Sequence, residues 1–236
     1  MTVWLQDPAR AAVAHAVAAR VGPGMTIGLG SGRAVFSIIE LLGRRSLAPP
    51  VRAAVGSAQT ASLAAAAGIE LVELDGKVAP EFAIDGADEV DQELNLLKGG
   101  GGALLREKLI ASAAASVVIA AEARKLVARL GTVFPLPVEV VRYAWPDTRR
   151  RLLDLVPAAV PRVDAAGSPV VTEEGHVLLD CAIPPGDLVA LAAALKATVG
   201  VVEHGLFLGV THEVLLGASD GSVRTLTRSQ PLPGPE

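Results

Sequence analysis

The chain has 236 residues, 51% of them hydrophobic and 19% charged, and its 21 Lys and Arg against 25 Asp and Glu leave a net charge of −4. That balance describes a globular chain with enough apolar residues for one large or two small domains. The acidic charge and an aromatic content of 3% exclude nucleic acid as a main partner and any base-stacking platform.

A single cysteine, Cys181, excludes an internal disulfide and fits a reducing, cytoplasmic setting. The chain does not open on a basic segment followed by an apolar one, and no apolar run reaches ~18 residues, so neither a signal peptide nor a membrane span is expected.

Asp7-Pro8 is a helix start, with Asp as cap and Pro in the first position, and the helix should run to about Val21, before Gly22-Pro23-Gly24. Met25 to Leu29 reads as a strand. It turns through Gly28-Leu29-Gly30-Ser31-Gly32-Arg33-Ala34 into a helix ending near Leu42. This β-turn-α unit lacks the dinucleotide fingerprint, because Arg33 stands where its last glycine would be, yet its backbone N–H groups can still cradle a phosphate. Val51 to Val55 and Ile69 to Leu74 read as strands flanking a helix over 58–67, which Gly68 ends.

Residues 82–108, FAIDGADEVDQELNLLKGGGGALLREK, hold the densest chemistry. Phe82 to Ile84 is a short buried strand running into the acidic turn Asp85-Gly86-Ala87-Asp88-Glu89. The apolar run Leu94 to Leu97 ends at Lys98, four glycines follow, and a helix begins at Ala103 with Arg106, Glu107 and Lys108 in its first turns. Consecutive glycines between a strand and a helix allow close backbone approach to a ligand, and a helix start favours an anion. Glu107 is then a rigidly placed carboxylate beside the same spot. Asp85 and Asp88 leave the carboxyl end of a strand, where open α/β sheets bind ligands. Arg106, Lys108 and Lys98 are the cations expected to favour its charged form.

Ser116 to Ala121 reads as another buried strand, with Glu122 to Lys125 at its ligand end. Strands and helices alternate throughout 1–125, which argues for a parallel sheet covered on both faces. The texture changes at Pro135-Leu136-Pro137. Strands near 138–141, 159–163, 177–182 and 201–208, with helices near 146–155 and 187–197, give a compact β-α-β-β-α-β pattern. Val214 to Leu216 and Val223 to Leu226 are expected back in the main sheet. The fold class is therefore α/β, with a Rossmann-like parallel-sheet domain (1–132 plus 206–236) and a smaller α+β, ferredoxin-like domain (133–205). The proline-rich tail 230–236 is expected to be disordered. His15, His176, His204 and His212 have no metal-ligand spacing, so no metal site is expected. Trp4 and Trp145 read as packing residues, and 134–146 could serve equally as a contact surface or as core.

DGADEVD followed by LNLLKGGGGALLREK resembles the signature of type A ribose-5-phosphate isomerase. FPLPVEVVRYAWP (134–146), VTEEGHVLLDC (171–181) and GVVEHGLFLGV (200–210) are similar to that family in the same order, so the resemblance covers nearly the whole chain. It implies interconversion of ribose 5-phosphate and ribulose 5-phosphate through a cis-enediolate, without a metal or organic cofactor. By the same resemblance Glu107 is the base, Lys98 polarises a substrate oxygen, and Asp85 exchanges protons with sugar oxygens during ring opening. Asp88 holds hydroxyls and the lysine. Substrate contacts fall to Ser31, Gly32, Arg33, Ala34, Gly86, Ala87, Gly99, Gly100, Gly101 and Lys125. A homodimer or homotetramer joined through the smaller domain is also implied.

The chain departs from the family at the phosphate loop. Where Thr-Gly-Ser-Thr is usual, it has Ser31-Gly32-Arg33-Ala34. Arg10 stands where many members have lysine, Arg124 where serine is usual, and Val55-Gly56-Ser57 where Pro-Thr-Ser often stands. Either Arg33 supplies a bidentate phosphate contact in place of the lost hydroxyls, or the site has moved toward another anionic sugar. Two other readings are a coenzyme A transferase, which would need a site for a long nucleotide tail, and a non-catalytic sugar-phosphate sensor. A sensor of the repressor type would carry a helix-turn-helix ahead of the first strand, and the 24 residues there are too few.

Overall fold

The structure, a computed structural model, describes residues 3–228. The segment 230–236, expected to be disordered, lies outside the described residues. A 3-10 turn (Val3–Leu5) leads into α1 (Pro8–Ala18), whose cap Asp7 accepts the Arg10 amide at 3.1 Å. Then come β1 (Thr26–Leu29), α2 (Arg33–Gly43), β2 (Arg52–Val55), α3 (Ala58–Ala66, capped by Ser57), β3 (Glu70–Leu71) and β4 (Phe82–Asp85). They are followed by β5 (Glu89–Val90), β6 (Leu96–Leu97), α4 (Leu104–Ala113) and β7 (Val117–Glu122).

The next group is β8 (Leu136–Val140), α5 (Trp145–Leu152), β9 (Ala159–Pro161), β10 (Val177–Cys181), α6 (Leu188–Ala197) and β11 (Val201–His204). The last strands are β12 (Leu206–Phe207), β13 (Glu213–Gly217) and β14 (Val223–Thr227).

The main sheet has seven strands in the order β14-β13-β7-β4-β1-β2-β3, parallel except for β14, which runs antiparallel at the edge. Its central strands are apolar on both faces because both faces are covered there, whereas the edge strands β3 and β14 are exposed. Along β7, Val118 and Ala120 join the core made with α1 and α2, while Val117, Ile119 and Ala121 join the core that holds Ile110 of α4. Ile84 and Ala83 of β4, and Leu215 and Val214 of β13, divide in the same way. This is the period of two that a strand imposes.

The strands β8 to β11 build a separate antiparallel sheet, order β11-β8-β10-β9, with the β-α-β-β-α-β connectivity read from the sequence. Leu136, Val138, Val140, Leu179 and Cys181 pack there against Leu191 and Leu195 of α6. Cys181 is fully buried, and burial pushes its thiol up to about 12, so it packs as a small apolar residue. In the 134–146 stretch Leu136 and Val138 are core, whereas Phe134 and Tyr143 are exposed, Tyr143 at 88%. Trp4 packs edge-on against Phe36, with ring centroids 5.1 Å apart.

Two expected strands differ. Of 69–74 only Glu70–Leu71 forms a strand, at the edge of the sheet, with the Val72 amide adding one bond to the Ala53 carbonyl. The strand expected over 201–208 breaks at Gly205. β11 stays in the four-stranded sheet and β12 joins a three-stranded antiparallel ribbon, β12-β6-β5. Gly205 donates to the Pro137 carbonyl and accepts from the Lys98 amide, so the chain crosses between sheets there. A methyl group on Gly205 would lie 2.1 Å from the Lys98 carbonyl oxygen. Among the described residues no helix is long and apolar enough to cross a membrane.

Candidate active site

The carboxyl ends of β1, β4 and β7 open into a cleft of about 550 Å³, the position expected of a ligand site on a parallel sheet. The wall comprises the turn from β1 into α2, the turn after Asp85, the glycine loop before α4, and Glu122 to Lys125 after β7. Every residue assigned to the site from sequence lines this cleft except Asp85, which lies beneath the floor.

Lys98 is the hub. Its ammonium is 2.9 Å from Asp85 Oδ2 and 3.1 Å from Glu107 Oε2, and it donates to the Gly86 carbonyl at 2.8 Å. All three side chains are more than nine-tenths buried. Asp85 also accepts the amides of Gly86 (2.7 Å) and Ser31 (3.3 Å). It packs so closely on Gly30 that a Cβ there would sit 2.0 Å from its carboxyl carbon. Asp85 is thus held by Lys98 and two backbone amides and is not among the residues of the cleft wall.

Two carboxylates share one ammonium, and burial penalises the charge on each. Burial first, then the negative charge of Asp85, pushes Glu107 up to about 8 against the opposing pull of Lys98. Burial raises Asp85 as well, against Lys98 and its hydrogen bonds. Burial alone would lower Lys98, but the charges of Asp85 and Glu107 outweigh it and hold the lysine above its ordinary value. The cluster thus contains a carboxyl poised near neutral pH beside a permanently charged lysine. Glu107 Oε2 pairs with the Lys98 ammonium at 3.1 Å and is otherwise without a polar partner among the described residues. The cationic neighbours in sequence do not assist it. Arg106 turns to Glu173 and Glu174, and Lys108 turns to Glu203 on the far side of α4.

Asp88 was expected to hold Lys98. Its charge does help to hold the Lys98 ammonium, though without an ion pair, and it accepts the Gly100 amide at 2.8 Å and shapes the glycine loop. Arg162 of the small sheet, paired with Asp180, donates to the carbonyls of Gly99 and Gly100 at 2.8 and 3.1 Å and clamps that loop from outside. The amides of Gly99 and Gly101 have no acceptor within the described residues, so two donors remain on the cleft wall.

At the other end the wall is cationic. Arg33 is exposed at the first turn of α2, whose start has no side-chain cap, and Ser31 pairs with Ser57 through their hydroxyls at 3.0 Å. Lys125 donates to the Ala87 carbonyl and lies 3.9 Å from Glu122; burial lowers its pKa against the pull of Glu122. Arg124 lies 3.6 Å from the same carboxylate. Arg10 is not on the wall: it is buried against Glu122 (3.3 Å) and the Trp4 carbonyl (3.2 Å).

Sequence reasoning missed Glu89, Arg162 and Phe207. Glu89 is 1% exposed and accepts the amides of Gly131, Val133 and Phe134, pinning a loop that carries Val133 and Phe134 to the cleft rim. The only signal was its place in an acidic turn. The Phe207 ring centroid lies 5.6 Å from the Lys98 ammonium and 4.7 Å from that of Lys108, and nothing local in the sequence marks it. Among the described residues no three or more His, Cys, Asp or Glu side chains are grouped to hold a metal ion.

Residues 53–221 match the family model for ribose 5-phosphate isomerase A (phosphoriboisomerase A). The ribose-5-phosphate isomerase A of Synechococcus sp. (strain JA-3-3Ab) is 44% identical over 227 residues, 94% of this chain and 98% of that protein. That of Chloroflexus aurantiacus is 43% identical over 225 residues, 94% of each. Among solved structures, a D-ribose-5-phosphate isomerase in complex with phospho-erythronic acid superposes with a TM-score of 0.87 at 32% identity, over 93% of this chain and 97% of that one. The enzyme of Methanocaldococcus jannaschii gives 0.87 at 34%, over 94% and 99%.

Proposed function

The chain belongs to the ribose 5-phosphate isomerase A family and interconverts D-ribose 5-phosphate and D-ribulose 5-phosphate in the pentose phosphate pathway; we propose that Glu107 is the base that moves the proton between C1 and C2. In the open-chain aldose, the Glu107 carboxylate removes the C2 proton. The electron pair forms the C1–C2 double bond and the C1 carbonyl electrons move onto O1, giving a cis-enediolate. A proton passes from O2 to O1, and the Glu107 carboxyl returns its proton to C1, leaving the ketone at C2. One carboxylate reaches both carbons because they are adjacent and it sits in the rigid first turn of α4.

Lys98 and the amides of Gly99 and Gly101 stabilise the oxyanion. Asp85 acts through Lys98 by holding its ammonium in place, and Asp88 acts by holding the glycine loop. Ser31, Gly32, Arg33, Ala34 and Lys125 take the phosphate. Gly86 and Ala87 bound the sugar between the two ends. The observation that carries this reading is the Glu107–Lys98 approach of 3.1 Å on the wall of a cleft with a cationic far end. The related structure holding phospho-erythronic acid supports a phosphorylated sugar chain as occupant.

The two-domain division, 1–132 with 206–236 and 133–205, is supported by the separate sheet of β8 to β11. Exposed Phe134 and Tyr143 support assembly as a homodimer or homotetramer through the smaller domain. The single free cysteine supports a cytoplasmic setting. A direct assay of ribulose 5-phosphate formation on wild type and Glu107→Gln tests the base: turnover should fall by roughly 10²–10⁴, and turnover within tenfold of wild type removes Glu107 from the chemistry.

A further inference from the structure

Lys108 follows Glu107 in the chain, yet it lines no part of the cleft. Its side chain is 19% exposed, and its ammonium donates to Glu203 Oε1 at 2.7 Å and to the carbonyls of His204 at 2.7 Å and Leu206 at 3.0 Å. Three acceptors use all three N–H bonds of an ammonium. The same nitrogen lies 4.7 Å from the centroid of the Phe207 ring.

All of these partners belong to one strap, residues 203–207, where the chain crosses from β11 to β12. That strap also holds Lys98. The Lys98 amide donates to the Gly205 carbonyl at 2.9 Å, and its ammonium lies 5.6 Å from the centroid of the same Phe207 ring. The helix that carries Glu107 and the residue that carries the facing ammonium are thus fastened to one short segment by independent contacts.

We propose that Lys108 is a positioning residue for the isomerisation: its bonds to the strap fix the depth of α4 and so hold the Glu107 carboxylate against Lys98. This rests on the reading of Glu107 as the base. Burial lowers the pKa of Lys108 against the pull of Glu203, so its ammonium depends on these partners. Burial opposes the charge of Glu203, yet the hydrogen bond and charge of Lys108 pull its carboxyl down to about 2. The other groups facing Lys108 are Lys196 of α6, which also pairs with Glu203, and His204. Burial and the charge of Lys108 hold His204 down at about 4. Neither Glu203 nor His204 changes charge near neutral pH.

The test is Lys108→Met, which keeps the length and removes the ammonium. The expected result is a fall in kcat of at least about tenfold with KM for ribose 5-phosphate within about twofold. The pH at which kcat rises should move upward, because a Glu107 that drifts from Lys98 loses the charge favouring its ionised form. Lys108→Arg keeps the charge but cannot aim a planar fork at three converging acceptors, so it should restore part of kcat. Should Lys108→Met fail to fold, Glu203→Gln carries the test with the same loss confined to kcat, and Lys108→Arg with a smaller one. Unchanged kcat and pH dependence in a folded variant, or a loss shared equally by kcat and KM, overturns the proposal. Glu107→Gln assayed alongside separates the two claims. Turnover retained in Glu107→Gln defeats the base assignment, whereas a dead Glu107→Gln with normal Lys108 variants defeats only the positioning role.

Discussion

Glu107→Gln replaces a carboxyl that ionises near pH 8 with an amide of the same shape that never ionises, and the cost of its charge becomes measurable in folding as well as in rate. In the unfolded chain Glu107 loses its proton near its ordinary 4.5; in the folded protein it holds on until about 8. Between those values the folded state binds a proton that the unfolded state has released, so stability falls as pH rises through that window. At about 1.4 kcal/mol for each pH unit, the full interval is worth about 5 kcal/mol as an upper limit. Because Asp85 shares Lys98 with Glu107, removing one acid also relieves the other, and the working figure is roughly 2–4 kcal/mol.

Below the window the wild-type carboxyl is neutral, and Glu107→Gln should match wild type to within about 1 kcal/mol. At pH 9 the variant should be the more stable, by roughly 5–15 °C in Tm for a chain of this size. Thermal unfolding of both proteins at each pH unit from 4 to 9 provides the curves, and kcat/KM of wild type should climb with its midpoint near pH 8 and level off only above that. Stability curves that run parallel from pH 5 to 9, or a rate that plateaus by pH 6, would refute the argument that Glu107 is a desolvated, proton-holding acid.

Three further substitutions probe the rest of the site. Arg33→Ala should raise KM for ribose 5-phosphate about tenfold with little change in kcat; an unchanged KM in steady-state assays removes Arg33 from the phosphate end. Glu89→Ala strips the acceptor from three amides and should cost about 2–4 kcal/mol in chemical denaturation, with hydrogen exchange speeding up at 131–134 before elsewhere. Gly205→Ala drives a methyl onto the Lys98 carbonyl and should lower stability by about 3 kcal/mol or more and kcat with it; a variant with wild-type Tm would show that the strap yields easily.

The elements were legible where local pattern decides them. Asp7-Pro8, Gly68 and the apolar run of β7 each mark a boundary or a covered strand by residue type alone. The break at Gly205 was not legible, since Val201 to Leu208 reads as one apolar strand and its division depends on Lys98, over a hundred residues earlier in the chain. The same holds in the site. Sequence brought Glu107, Lys98 and the glycine loop together, because spacing along a strand, turn and helix determines their neighbourhood. It misassigned the partners of Arg106 and Lys108, because which acid meets which base depends on tertiary approach that charge alone does not encode.

That division of labour follows from how much error each end of the cleft tolerates. Proton transfer between adjacent carbons fails with displacements of about 1 Å, and the groups proposed to perform it are buried, mutually bonded and strapped from behind by residues 203–207. Phosphate recognition by exposed cations depends on charge over several ångströms and accepts many arrangements. Loss of two loop hydroxyls at Arg33 and Ala34 is therefore compatible with an unaltered reaction, provided cations remain on that wall, as Arg33, Arg124 and Lys125 do. On this reasoning, substitutions at the cationic end should act through KM and those in the Asp85–Lys98–Glu107 cluster or its strap through kcat. A kcat-only effect at Arg33 would show that the anion end helps to set the reacting geometry, and the two ends could no longer be treated as separable.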